Sequence, residues 1–225
     1  MALTVKICGL SAPDTLEVAL EAGADYVGFV FFAPSPRNVG LEAARTLGAQ
    51  VQGRAGKVAL TVDANDEFLG AIIGALKPDM LQLHGKETID RVVAVRTRFG
   101  IPVMKALPIA TRADLAAIRP YAAVADRLLF DARPPADATR PGGLGNTFDW
   151  TLLQGIDAGV PWMLSGGLDP GNVTQAIAVT GARGVDVSSG VESAPGVKDA
   201  GRIRAFIRAA RDAEAPLELP KETIV

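Results

Sequence analysis

Cysteine is nearly missing: Cys8 is the only one in 225 residues. A single thiol excludes an internal disulfide and any metal site built from several cysteines. Histidine is equally scarce, with His84 alone, so no second histidine stands at a metal-ligand spacing and no HExxH occurs. A metal centre is therefore not expected. No run of about 18 apolar residues occurs, so no membrane span is expected. Lys and Arg total 23 against 25 Asp and Glu, and basic residues do not cluster among aromatics. That balance argues against nucleic acid as a partner. The first residues lack the basic-then-apolar pattern of a secretion signal. A reducing, cytoplasmic setting is the simplest expectation.

What is present is a repeat. Hydrophobic residues make up 48% of the chain, enough for a sizeable core. Short apolar runs alternate with amphipathic stretches: "TVKICG" with "SAPDTLEVALEAG", "DYVGFVFF" with "VGLEAARTLGAQ", "GKVALTV" with "DEFLGAIIGAL", and "DMLQLHG" with "ETIDRVVAVRTRFG". Then come "PVMKALP" with "TRADLAAIRP", "DRLLFDA" with "FDWTLLQGI", "PWMLSGG" with "DPGNVTQAIAV", and "GVDVSSG" with "DAGRIRAFIRAARDA". In the first helix, Ser11 or Asp14 is expected near the start and Gly23 at the end. Strands joined by helical crossovers pair in parallel. Eight such units over this length predict a single (β/α)₈ barrel more than an open sheet. No GxGxxG turn follows the first run, and no Pro/Ser-rich linker divides the chain. The barrel is expected over 1–213, with residues 214–225 as a surface extension.

The active site of such a barrel lies where strands end. Alternation along a strand puts Cys8 and Lys6 on one side, and likewise Gln82 with His84, Arg127 with Asp131, and Asp186 with Ser188. A charge inside a barrel needs a partner, and the first and eighth strands are neighbours after closure. Lys6 is therefore expected to pair with Asp186. That pair either only stabilises the barrel or also favours the thiolate of Cys8.

Other strand ends carry readings that stay open on the residues alone. Gly166 and Gly167 in "SGGLDPGN", and Ser188, Ser189 and Gly190 in "DVSSGVE", either aim backbone N–H groups at a phosphate or simply make tight turns. Asp131 is a general acid if it holds its proton there; otherwise it pairs with Arg133 or caps a turn. Arg37, stiffened by the prolines of "APSPRNV", either clamps a substrate carboxylate or is a solvated surface arginine. His84 is a structural hydrogen-bonding residue or part of the site wall. Cys8 is a buried spacer or a reactive sulfur.

Taken together, "KICGL", "VFFAPSPRNV", "LQLHG", "LLFDA", "GGLGNTFDW", "SGGLDPGNV" and "GVDVSSGVE" resemble the phosphoribosylanthranilate isomerase family of tryptophan biosynthesis, in order and spacing, from Val5 to Ala210. Leu144 in "GGLG" stands where the family usually carries a small hydroxyl residue. The resemblance implies a (β/α)₈ barrel and an Amadori rearrangement without cofactor or metal. It implies Cys8 as general base, Asp131 as general acid and Arg37 as the holder of the anthranilate carboxylate. It also implies a small phosphoribosyl substrate and a monomer or homodimer. A histidine-pathway isomerase would carry an aspartate in place of Cys8 and a second phosphate site. A barrel that binds a phosphosugar for regulation would not need both Cys8 and Asp131.

Overall fold

The computed structural model describes residues 2–135, 138, 141–145 and 147–213. The extension expected over 214–225 lies outside the described residues.

Eight parallel strands close into a barrel in chain order. They are β1 (Thr4–Cys8), β2 (Tyr26–Phe31), β3 (Gly56–Thr61), β4 (Met80–Leu83), β5 (Val103–Ile109), β6 (Arg127–Ala132), β7 (Trp162–Leu164) and β8 (Gly184–Val187). β8 pairs back onto β1 with Thr4 opposite Gly184 and Lys6 opposite Asp186. The helices on the outside are α1 (Pro13–Glu21), α2 (Leu41–Val51), α3 (Asp66–Leu76), α4 (Ile89–Phe99), α5 (Ile118–Ala122), α6 (Val173–Thr180) and α7 (Ala200–Asp212). Their periodicity decides which stripe faces the sheet. In α7, Ile203, Phe206, Ile207 and Ala210 are buried, at the spacing of one helix face. Asn65, Thr88 and Asp199 accept from the backbone at the starts of α3, α4 and α7, satisfying amides that the first turn leaves free.

Strand alternation divides the core in two. Val5 and Ile7 of β1, with Leu128 and Phe130 of β6, belong to the large layer between sheet and helices. The lumen holds Val58, Met80, Met104, Ala106, Leu129 and Met163 in one cluster and Cys8, Val30 and Leu60 in another. The second cluster contains the strand-end Cys8, so it lies toward the mouth.

Two local expectations are corrected. "FDWTLLQGI" forms only a 3₁₀ turn over Trp150–Leu153. The Asp149 side chain accepts from the Thr151 amide, and the chain leaves through Gly155 at positive φ, which stops the turn from lengthening. "TRADLAAIRP" begins as a 3₁₀ segment, Arg112–Ala117, before the short α5. Ser11 and Asp14 do stand near the start of α1, as expected; Ala12 holds the cap position, followed by Pro13, whose fixed φ and missing N–H suit a first helical position.

Candidate active site

β1 delivers Cys8 to the mouth and Lys6 one layer below, both buried. Lys6 Nζ donates to Asp186 Oδ1 at 2.8 Å, so the expected pair across the closing seam is present. Burial disfavours the charge on Lys6, but Asp186 and Cys8 together outweigh it and lift Lys6 above its ordinary value. Lys6 does draw Cys8 toward the thiolate, as expected, but it does not decide the direction. Burial pushes the thiol up and prevails over the downward pull of Lys6 and Lys198, while the Asp186 carboxylate adds to the rise. Cys8 therefore favours the thiol, chiefly because it is buried, with the Asp186 carboxylate opposing the help that Lys6 gives the thiolate.

Asp131, at the end of β6, is held from two sides. Its Oδ1 accepts from the Ala132 amide at 2.9 Å, and its Oδ2 lies 3.0 Å from His84 Nε2. His84 Nδ1 in turn meets Gln82 Nε2 at 2.9 Å. The alternative partner for Asp131 is excluded, since Arg133 pairs with Asp114. His84 is part of the wall through this contact.

Arg37 is buried rather than solvated. Its Nε donates to Glu192 Oε1 at 2.6 Å and its Nη2 to Glu192 Oε2 at 2.8 Å. Nη2 also reaches the Gly143 carbonyl at 3.2 Å. The guanidinium is thus already engaged in a two-pronged ion pair, and its Nη1 packs beside Gly143.

Glu192 and Lys198 are functional neighbours that the strand-end reading missed. They sit on an antiparallel ribbon, β9 (Glu192–Ala194) and β10 (Val197–Lys198), inserted after β8. Lys198 Nζ donates to Glu192 Oε1 at 2.8 Å and to the Ser188 carbonyl at 2.9 Å. Burial raises a carboxyl, yet Arg37 and Lys198 together bring Glu192 below its ordinary range. Burial lowers Lys198, against the pull of Glu192. Two basic side chains share one carboxylate beside the cleft. The "APG" turn inside "ESAPGVK" was the available signal for a hairpin.

The loops after β7 and β8 meet. Gly166 at φ 88° takes a backbone shape that a side chain would strain. A Cβ at Gly190 would collide with the Leu168 carbonyl, so only glycine lets the two loops touch. Asn172 braces the first loop by donating to the Gly167 carbonyl at 2.9 Å.

These elements enclose one cleft of about 780 Å³, counting the space open to solvent. Cys8, Arg37, His84, Asp131, Gly166, Gly167, Asp186, Ser188 and Ser189 all line it, and so does Leu144. Gly190 does not; it joins the loops from behind. A thiol and a carboxyl thus reach one cavity from strands far apart in sequence, beside the Arg37 guanidinium and two loops rich in backbone amides. That arrangement suits proton transfer at two points of one anionic ligand.

Residues 5–209 match the family described as N-(5'phosphoribosyl)anthranilate (PRA) isomerase. The N-(5'-phosphoribosyl)anthranilate isomerase of Nitrobacter hamburgensis is 67% identical over 217 residues, covering 96% of each chain. The crystal structure of phosphoribosyl anthranilate isomerase from Thermotoga maritima superposes with a TM-score of 0.84 at 34% identity, over 93% of this chain and 99% of that one. A phosphoribosyl anthranilate isomerase solved with reduced 1-(o-carboxyphenylamino)-1-deoxyribulose 5-phosphate gives a TM-score of 0.82 at 33% identity, with the same coverage.

Proposed function

The chain belongs to the N-(5'-phosphoribosyl)anthranilate isomerase family, whose reaction converts N-(5'-phosphoribosyl)anthranilate to 1-(2-carboxyphenylamino)-1-deoxyribulose 5-phosphate in tryptophan biosynthesis, and from that premise we propose that Cys8 is its general base and Asp131 its general acid. The observation that carries this assignment is that both groups line one cleft.

The chemistry requires both. The furanose ring oxygen takes a proton from Asp131 as its bond to C1 breaks, and the electron pair of that bond passes to the oxygen. A protonated Schiff base remains at C1 and acidifies the proton on C2. Cys8 removes that proton, giving an enolamine that tautomerises to the ketone. Each assisted transfer contributes about 10²–10⁴-fold. The resting thiol fits this order of events. Ring opening creates a positive charge next to the sulfur, and a nearby cation favours the thiolate at the step that uses it.

Binding follows from the remaining groups. The Gly166–Gly167 and Ser188–Ser189 backbone is assigned to the phosphate, which orients the sugar. Arg37, through Nη1, is assigned to the anthranilate carboxylate, with Glu192 fixing its plane. Asp186 holds Lys6 and lines the floor. The setting we infer is cytoplasmic; among the described residues no helix is long and apolar enough to cross a membrane.

Alkylation tests the assignment of the base, because Cys8 is the sole thiol. Carboxamidomethylation is expected to abolish turnover, and the reduced product analogue to slow the modification. Full activity of the modified enzyme would refute the role of Cys8.

A further inference from the structure

The reaction scheme leaves Gln82 unused. Its side chain lies in the lumen below His84 and is fully buried. Leu60 and Met104 flank it in register on the neighbouring strands. Nε2 stands 2.9 Å from His84 Nδ1, but among the described residues the buried Oε1 has no hydrogen-bond partner. A bare buried acceptor is costly, and a chain that keeps one beside an acid–imidazole pair calls for a reason.

We propose that Gln82 is a positioning residue for the acid step, and that its amide turns end for end as Asp131 changes protonation state. The inference rests on the acid role given to Asp131 above. In the arrangement seen, Gln82 donates to Nδ1. The neutral imidazole then carries its proton on Nε2 and points it at Asp131 Oδ2, 3.0 Å away. This suits a carboxylate. When Oδ2 carries a proton, two donors would face each other. Half a turn of the amide removes the conflict: Oε1 accepts from Nδ1–H, and Nε2 accepts from Oδ2–H. The heavy atoms stay in place. Among neutral side chains only a primary amide offers donor and acceptor at interchangeable ends. The bare Oε1 is the end held in reserve.

Protons balance. The acid arrangement holds two on the pair, at Nδ1 and Oδ2, and the resting one holds a single proton at Nε2. Delivery of the Oδ2 proton to the ring oxygen accounts for one, and solvent returns it. The route is a second hollow that shares His84 and Asp131 and is lined by Asp63 and Lys86. On the substrate side the charged and titratable groups facing the pair are Cys8, Arg37 and Asp186.

His84 is the only histidine, so enzyme labelled with ¹⁵N-histidine reports a single imidazole. At high pH the proton is expected on Nε2. Nδ1 is expected to gain its proton at the same midpoint at which kcat is lost toward alkali. Gln82→Glu, an acceptor only, should keep Nδ1 protonated and move that alkaline limb up by about one pH unit. Gln82→Met, with neither end, should lower kcat about tenfold or more while KM stays within about threefold. A midpoint for Nδ1 apart from the kcat limb, or wild-type kcat in Gln82→Met, would overturn the proposal. If Gln82→Glu does not fold, the wild-type titration and Gln82→Met still decide. Asp131→Asn separates the two readings. Normal turnover in that variant removes the acid role itself, whereas an inactive Asp131→Asn together with a wild-type His84 that keeps one tautomer through the kcat limb removes only the role of Gln82.

Discussion

Lys6 Nζ meets Asp186 Oδ1 at 2.8 Å across the seam where β8 closes on β1, with both side chains buried. Removing one partner leaves the other charged and dry. Lys6→Met should therefore cost about 3–5 kcal/mol in denaturant unfolding, and Lys6→Met with Asp186→Leu should recover most of it. The sign with pH follows from the raised value of Lys6. Its contribution is complete below the ordinary 10.5 and is lost as pH climbs through the higher folded value. Equal stability of the single variant and wild type would contradict the pairing.

Thiolate absorbance reports Cys8 alone, since no other thiol exists. The titration of the ligand-free enzyme should lie above the ordinary 9.0, because burial outweighs the flanking cations. Lys6→Met should move it further up, and Asp186→Asn should move it down. A midpoint below 9.0 in the wild type would refute the resting thiol.

Glu192 is held below its ordinary 4.5 by Arg37 and Lys198. A depressed carboxyl stabilises the fold above its unfolded value and loses that contribution as pH falls through the folded one. Melting temperature should thus drop below pH 4.5 in the wild type and drop less steeply in Glu192→Gln. Parallel acid limbs for the two proteins would count against the shared-carboxylate cluster.

Arg37→Ala should raise KM about 10–100-fold with a smaller change in kcat, the scale of one hydrogen bond to a charged group. Arg37→Lys should not restore KM, because an ammonium cannot fork onto Glu192 and still reach the ligand. An unchanged KM in Arg37→Ala would remove the carboxylate clamp.

Much of this was legible in the chain. Alternation along "TVKIC" and "GVDV" put Lys6 and Asp186 on one side of neighbouring strands, and the pair is there. The ends of the first and sixth strands named Cys8 and Asp131, which line the same cleft. The missing pieces share a cause: they depend on depth or on long-range closure. How far Cys8 is buried decides the direction of its shift, and no local pattern carries that depth. Glu192 comes back to Arg37 across 155 positions, through a hairpin whose tip is Gly196 at φ 83°. "FDWTLLQGI" has the apolar spacing of a helix, but Asp149 and Gly155 cut it to one turn.

The central claim is that Cys8 and Asp131 act on one bound pentose. The direct measurement is kcat for Cys8→Ala and for Asp131→Asn, followed by loss of the fluorescence of N-(5'-phosphoribosyl)anthranilate, with folding checked by circular dichroism. Each folded variant is expected to turn over about 10²–10⁴-fold more slowly than the wild type. Near-normal kcat in either one would contradict the account.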